Sequence, residues 1–121
     1  MENYTPISRE ELVNLLTTIL TLNLDLNTPR STFRRVLNNQ NSQISVQIGR
    51  NNKIDLDFES LFQIYFATIE NNGLYNKQIS LNVLPTITRN HGCTVHVVGM
   101  IFVRIGLMEV VDGRNYRITI D

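Results

Sequence analysis

The end of the chain carries the pattern that most restricts its fold, two segments of alternating apolar residues joined by a tight-turn signal. Leu107 to Val111 and Tyr116 to Ile120 flank the sequence Asp112-Gly113-Arg114-Asn115. An Asp-Gly pair between two such segments is typical of a β-hairpin, because these residues tolerate the backbone angles of a tight turn. The sequence therefore predicts that the chain ends in a two-stranded ribbon.

The segment before this hairpin fits two structures. Thr94 to Ile105 is rich in β-branched residues, which suits a strand. Its apolar side chains also recur at Val95, Val98, Phe102 and Ile105, which suits one face of a helix. We predict the helix, and an extended conformation here would contradict every inference that rests on it.

Two helices are predicted at the start of the chain. Ser8 and Glu11 form the S-x-x-E pattern of a helix start. The leucines that follow have the spacing of one buried face, and this helix is expected to end near Leu22. Thr28-Pro29 predicts the start of a second helix running to Leu37. The outer side of that helix would carry three arginines: Arg30, Arg34 and Arg35.

The middle of the chain predicts a hairpin followed by a helix. Apolar residues alternate from Ile44 to Ile48 and again from Ile54 to Phe58, around a Gly/Asn turn. Asp57 or Glu59 can start a third helix, which Asn71-Asn72-Gly73 would end.

The region after this helix is harder to divide. Gln78-Ile79 is predicted as a very short strand, and Ser80 as the cap of a further helix through about Asn90. Pro85 would either kink that helix or mark its true start.

Composition fits one compact globular domain. Hydrophobic residues make up 42% of the 121, which is ordinary for a folded protein. Eleven basic and eleven acidic side chains leave no net charge, which argues against purely electrostatic binding to nucleic acid.

The single cysteine, Cys93, excludes an internal disulfide. The first residues lack the basic and apolar segments of a secretory signal. The longest apolar run, Val95 to Val111, contains three charged or titratable residues. We expect a cytoplasmic protein without membrane contact.

Residues 59–120 are thus expected to form a helix, a short strand, two helices and a hairpin, and this order resembles the winged helix-turn-helix family. The local sequence matches too, since Thr94-Val95 opens the third helix of the unit and Gly106-Leu107-Met108-Glu109 closes it. Tyr116-Arg117-Ile118 then ends the wing. The match covers about half of the chain through short motifs. It implies that four residues pack inward: Val95, Gly99, Phe102 and Ile105.

The fold class is therefore predicted as α+β within one compact domain, residues 1–121. A winged-helix-like C-terminal half, residues 59–121, would follow an N-terminal half, residues 1–58, with two helices and a β-hairpin.

The resemblance also implies which residues would contact nucleic acid. In that family the recognition helix enters the major groove and the wing contacts phosphates. The positions lie on this helix, in the turn before it and on the wing: Arg89, Asn90, Thr94, His96, Arg104, Arg114, Asn115 and Arg117.

The same side of the helix carries apolar residues where DNA readers usually place polar ones. They are Val97, Met100, Ile101 and Val103. Large apolar groups in water usually mark a contact surface. We expect this set either to pack on the N-terminal half or to contact a second subunit.

The sequence contains few residues in patterns that suggest catalysis or metal binding. His91, Cys93 and His96 give the spacing H-x-C-x-x-H, but a closed zinc site needs four ligands and the chain has no second pair. Asp55 and Asp57 alternate on one predicted strand, which is typical of a solvated face. The sequence therefore predicts a non-enzyme without metal or cofactor.

Two functions follow from these observations. The first is a small, dimeric DNA-binding regulator, placed narrowly ahead because the resemblance implies it, with duplex DNA as its partner. The second is a protein-interaction or assembly module on a winged-helix frame, with a protein partner or a homodimer. Affinity for DNA that falls steeply with salt would separate the first from the second.

Overall fold

The protein is described by a computed structural model that covers residues 6–29 and 33–119. It is a mixed α+β structure. In chain order the elements are α1 (Arg9–Ile19), β1 (Arg34–Gln40), β2 (Gln43–Ile48), β3 (Lys53–Asp57), α2 (Phe58–Glu70), β4 (Leu74–Tyr75), α3 (Lys77–Val83), α4 (Pro85–Asn90), α5 (Thr94–Arg104), β5 (Met108–Val110) and β6 (Tyr116–Ile118).

The first helix starts as predicted, and it ends at Ile19, before the predicted end near Leu22. The Ser8 side chain caps α1 by accepting a hydrogen bond from the Glu11 backbone N–H. Leu12, Leu16 and Leu20 are buried, because their spacing places them on one face of the helix. Further along, the Asn39 side chain donates to the backbone carbonyls of Leu16 and Leu20, so the end of α1 is tied to the first sheet.

The predicted second helix is wrong, because residues 34–40 form strand β1. The chain turns from β1 into β2 at Asn41 and Ser42, whose φ angles are 57° and 58°. Two consecutive positive φ angles define the turn that best joins twisted antiparallel strands. Pairing with β2 buries Val36 completely, and this tertiary gain outweighs the local helix-start signal at Thr28-Pro29. Arg34 and Arg35 therefore point to opposite faces of a strand, and Arg30 lies outside the described residues.

The first sheet contains the predicted hairpin as its second and third strands. The strand order is β1-β2-β3, all antiparallel, with Ile44 opposite Leu56 and Val46 opposite Ile54. These four side chains are buried on one face. The other face is polar, and Ser45 there donates a hydrogen bond to Asp55.

The third predicted helix is α2, with Asp57 as its cap. The predicted strand at Gln78-Ile79 is wrong, because the Asn76 side chain caps α3 by accepting from the backbone N–H groups of both residues. The short strand lies earlier, at Leu74–Tyr75. Ser80 is consequently a buried residue within α3 rather than a cap. Pro85 occupies the first turn of the separate helix α4, where its missing N–H costs no hydrogen bond.

The segment from Thr94 is helical, as predicted, and it feeds the terminal hairpin. The second sheet has the order β4-β6-β5, so the last strand lies between the other two. Buried side chains from α1, from both sheets and from α2, α3 and α5 form one contiguous core. Across residues 6–29 and 33–119, no helix is both long enough and apolar enough to cross a membrane.

Candidate functional site

Helix α5 is the most enclosed helix of the structure, and this changes the interpretation of its side chains. Thr94, Val97 and Ile101 are completely buried, and Met100 is 8% exposed. These side chains are therefore packed inside the protein and do not form an exposed contact surface. Val103 is half-buried.

The cover over α5 includes the chain that precedes β1. Residues 23–26 run beside β1, since the Asn23 N–H donates to Val36 and the Leu26 N–H donates to Arg34. The Arg104 side chain, at the end of α5, donates to the backbone carbonyl of Asp25 at 2.9 Å. The N-terminal half thus contacts the end of α5 through the hydrogen bond between Arg104 and Asp25.

A cleft of about 340 Å³ remains where this cover, α5 and the C-terminal hairpin meet. The N-terminal half lines it with Asn27–Pro29 and Arg34. Helix α5 contributes His96 and Met100. The hairpin contributes four residues: Val110, Asp112, Gly113 and Tyr116. This volume is at the lower end of the roughly 300–1,000 Å³ of small-molecule sites.

Tyr116 organises the floor of this cleft. Its hydroxyl lies 3.0 Å from Nδ1 of His96, within hydrogen-bond distance, and its ring packs on the ring of Tyr75 with centroids 5.7 Å apart. Burial raises the pKa of Tyr116 above its ordinary value, and the positive charge of Arg34 opposes part of that rise. The phenol is therefore neutral at physiological pH and available as a hydrogen-bond donor or acceptor.

Gly99 lets α5 approach Tyr116 so closely. A Cβ atom at this position would lie 2.8 Å from Cδ1 of the Tyr116 ring and still closer to Cε1 and Cζ. Only a residue without a side chain permits this contact. A hydrogen bond also fixes the start of α5, because the buried Tyr75 hydroxyl donates to the Val95 carbonyl at 2.8 Å. Burial raises the pKa of Tyr75 far above its ordinary value.

The turn of the hairpin forms the outer wall of the cleft. The Asp112 carboxylate accepts hydrogen bonds from the backbone N–H groups of Arg114 and Asn115 and from the Asn115 side chain. The first of these bonds is the main reason that the pKa of Asp112 is lowered. The Asp112 carboxylate therefore stabilises the hairpin turn in which it lies. Arg117, five residues after Asp112, pairs with Glu109 across the two strands.

The eight residues predicted to contact nucleic acid lie in three different environments. Arg89, Asn90, Arg104, Arg114 and Arg117 are exposed. His96 and Asn115 are half-buried, in the cleft and in the hairpin turn. Thr94 is completely buried, so the prediction that it reaches a ligand from the surface is wrong.

The H-x-C-x-x-H spacing has no metal-like geometry around it. Within the described part of the chain, no group of three or more His, Cys, Asp or Glu side chains comes close enough to hold a metal ion. The His96 ring faces Tyr116 instead.

Sequence reasoning missed the N-terminal contribution to the cleft. Arg34 was predicted on the outer side of a helix, yet it is only 7% exposed. Asn27 was not singled out, although its side chain accepts from the Arg34 backbone N–H at 2.8 Å and so fixes the start of β1. Arg34 and Val36 lie two residues apart and are both buried, as on one face of a strand, but the sequence Phe33-Arg34-Arg35-Val36-Leu37 has no apolar alternation that could have indicated it.

Comparison with protein-family models, with curated proteins and with solved structures finds no match to this chain. The interpretation of the site therefore rests on its geometry.

Proposed function

We propose that this chain is a non-catalytic binding module on a winged-helix frame, and that its partner is a protein, first of all a second copy of itself. The frame is supported by the element order from α2 to β6 and by the strand order β4-β6-β5. Fold alone does not determine function, so the choice of partner needs a separate observation.

That observation is the burial of α5. A recognition helix must present a row of polar side chains to base edges. Along α5, all of whose residues are described, only Arg104 is exposed, and its side chain already donates to the Asp25 carbonyl. In this conformation the helix cannot enter a major groove, and the absence of net charge gives little long-range attraction to DNA.

The surface that fits a second copy is the outer edge of the C-terminal hairpin, Met108–Val111, which we call the wing edge. Strand β5 is the outermost strand of its sheet, and outer strands pair readily with other strands. Val110 and Val111 are 53% and 47% exposed there. Two copies related by a twofold axis would join these edges as antiparallel strands, and a neutral chain adds little repulsion between them.

Light scattering during size-exclusion chromatography tests this proposal. We expect a mass near twice the 13.9 kDa of one chain at high protein concentration. Val111→Lys should shift the protein to the monomer, because lysine on an outer strand disfavours pairing. Leu22→Lys is the matched control, since Leu22 is 64% exposed and lies outside the wing edge. A wild-type protein that stays monomeric at all concentrations would refute self-association.

A DNA-binding regulator is the second candidate, and the exposure of Arg89, Arg114 and Arg117 favours it. Three phosphate contacts would give a salt slope of about −2.7, so a fourfold rise in salt would lower the affinity roughly 40-fold. Fluorescence anisotropy with random duplex DNA at about 50 and 200 mM salt measures this slope. Binding with that slope, reduced to about −1.8 in Arg114→Ala, would favour DNA over the protein partner.

A further inference from the structure

The cleft of about 340 Å³ between α5, the N-terminal half and the C-terminal hairpin is large enough to hold a small molecule. Its lining includes two charged residues, Arg34 and Asp112, and a set of apolar and aromatic ones, among them Met100, Val110 and Tyr116. The class of ligand that suits the cleft depends on which of these side chains already have partners within the protein.

Both charged residues of the lining are engaged within the protein. Asp112 accepts hydrogen bonds from the backbone N–H groups of Arg114 and Asn115 at Oδ1 and from the Asn115 side chain at Oδ2. Arg34 has an interaction of its own, and its Nη1 atom is enclosed by the protein. An ion that entered the cleft would lose its hydration without gaining an unengaged partner of opposite charge. The cleft therefore favours a neutral ligand.

The two rings of the lining are held in fixed positions. The Tyr116 hydroxyl and His96 Nδ1 lie 3.0 Å apart, so each group provides a hydrogen-bond partner for the other. Their ring centroids are 6.0 Å apart with an angle of 55° between the ring planes. Tyr116 also packs on Tyr75. A ligand would therefore meet rings that are already oriented and whose polar atoms are already paired.

The apolar side chains of the lining come from two different elements. Met100 lies on α5 and Val110 on β5, and both line the cleft together with Tyr116. A thioether makes favourable contacts with an aromatic ring. Tilted rings also attract one another beyond the effect of buried area alone. An aromatic ligand would gain both contributions, whereas a saturated ring of the same size would gain only the burial of its surface.

We propose that this cleft binds a small, neutral aromatic molecule, whose ring packs against Met100, Val110 and Tyr116. The affinity comes mainly from the apolar surface that the ligand and these side chains remove from water. A charged molecule of the same shape would retain that surface but lose its hydration, and it would therefore bind more weakly. This site is separate from the proposed self-association, which uses the outer backbone edge of β5.

Titration of the full-length protein at neutral pH, monitored by NMR of the methionine and valine methyl groups, tests this proposal. Benzyl alcohol is the probe. Its matched cation is benzylammonium, its matched anion is benzoate, and its saturated counterpart is cyclohexylmethanol. We expect benzyl alcohol to shift the methyl signals of Met100 and Val110. It should bind about tenfold more tightly than either ion and about threefold more tightly than the saturated alcohol.

Two variants of neighbouring residues separate the cleft from the rest of the hairpin. Val110→Ser removes apolar surface from the cleft and should weaken the binding of benzyl alcohol about threefold. Val111→Ser is the matched control, because consecutive side chains of a strand point to opposite faces and Val111 does not line the cleft. Its affinity for benzyl alcohol should equal that of the wild type.

Several results would overturn the proposal. It fails if either ion or the saturated alcohol binds the wild type as tightly as benzyl alcohol, or if benzyl alcohol leaves the Met100 signal unmoved. It also fails if the two serine variants weaken binding equally. The comparisons among ligands use only the wild type, so they hold even if Val110→Ser does not fold. Repeating the titration with the monomeric Val111→Lys variant separates this site from self-association, and we expect an unchanged affinity there.

Discussion

The contact between Gly99 and Tyr116 allows a quantitative prediction for one methyl group. Replacing Gly99 with Ala would place a Cβ atom 2.8 Å from Cδ1 of Tyr116 and nearer to two other ring atoms. An aromatic ring cannot bend away as the end of a flexible side chain can. The ring is also enclosed, since Tyr116 is 3% exposed and packs between Tyr75 and His96. Either α5 or the hairpin must therefore shift.

The size of the effect follows from two opposing contributions. Forcing an extra methyl group into a packed core typically costs about 1–3 kcal/mol. Alanine is a better helix former than glycine by about 1 kcal/mol, which offsets part of that cost. The clash involves ring atoms at very short range, so we place the overpacking cost near its upper limit and expect a net loss of about 1–2 kcal/mol. At roughly 4 °C per kcal/mol, the melting temperature should fall by about 4–8 °C.

Urea unfolding monitored by circular dichroism measures this loss. Gly92→Ala is the matched control, because Gly92 lies in the turn before α5 and a Cβ atom there would meet nothing within 4 Å. Its stability should change by no more than about 1 kcal/mol, and in the favourable direction if at all. The cost of Gly99→Ala should disappear when Tyr116 is also replaced by Ala, because the colliding ring is gone. A Gly99→Ala variant as stable as the wild type would refute the reasoning, as would an equal cost in both backgrounds.

Three further predictions concern polar groups. Tyr75→Phe removes the buried hydrogen bond to the Val95 carbonyl and should lower the free energy of unfolding by about 1 kcal/mol in urea titrations; no change would mean that the hydroxyl is better solvated than its burial indicates. Thr94→Val should raise that free energy by about 1 kcal/mol, since the buried Thr94 hydroxyl has no hydrogen-bond partner among the described residues; a destabilised variant would reveal a partner. The pKa of Asp55 is lowered, chiefly by the hydrogen bond from Ser45, so its contribution to stability is present above its unfolded pKa near 3.8 and is lost as the pH falls through the lower folded value. Ser45→Ala should therefore lose less stability than the wild type on acidification below about pH 4, and parallel curves would contradict this assignment.

Local signals predicted much of the fold. The capping residues Ser8 and Asp57 are close in sequence to the groups they satisfy, so the starts of α1 and α2 could be predicted without knowledge of the tertiary structure. The alternation from Ile44 to Leu56 and the Asp112-Gly113 turn predicted two hairpins for the same reason. Each of these patterns depends on interactions within a few residues.

The elements that were predicted incorrectly depend on contacts between residues far apart in the sequence. Residues 34–40 carry a helix-start signal before them and two arginines within them, yet they form a strand because β2 and residues 23–26 supply hydrogen bonds on both sides. The strand at Leu74–Tyr75 is only two residues long, and it exists because β6 pairs with it from more than forty residues away. No local pattern encodes such a partner.

The candidate cleft was predicted only in part, for the same physical reason. His96 was named from the sequence as a binding residue because it lies on α5. Arg34 was noticed as a charge but placed on the wrong element, so its approach to Tyr116 could not be anticipated. The residues that cover α5 carry little signal of their own. Their position depends on hydrogen bonds to β1 and on the contact between Arg104 and Asp25.

The passage from β3 into α2 has a mechanical consequence for how the two halves can move. Asp57 ends the strand and caps the helix that starts at Phe58, so no connecting loop separates the sheet from the C-terminal half. A hinge needs residues whose backbone angles can change freely, and this junction has none. Any movement of the first sheet relative to α2 must either unwind the first turn of α2 or pull Leu56 out of the core. Such a movement would therefore behave as a local unfolding event and not as the opening of a lid.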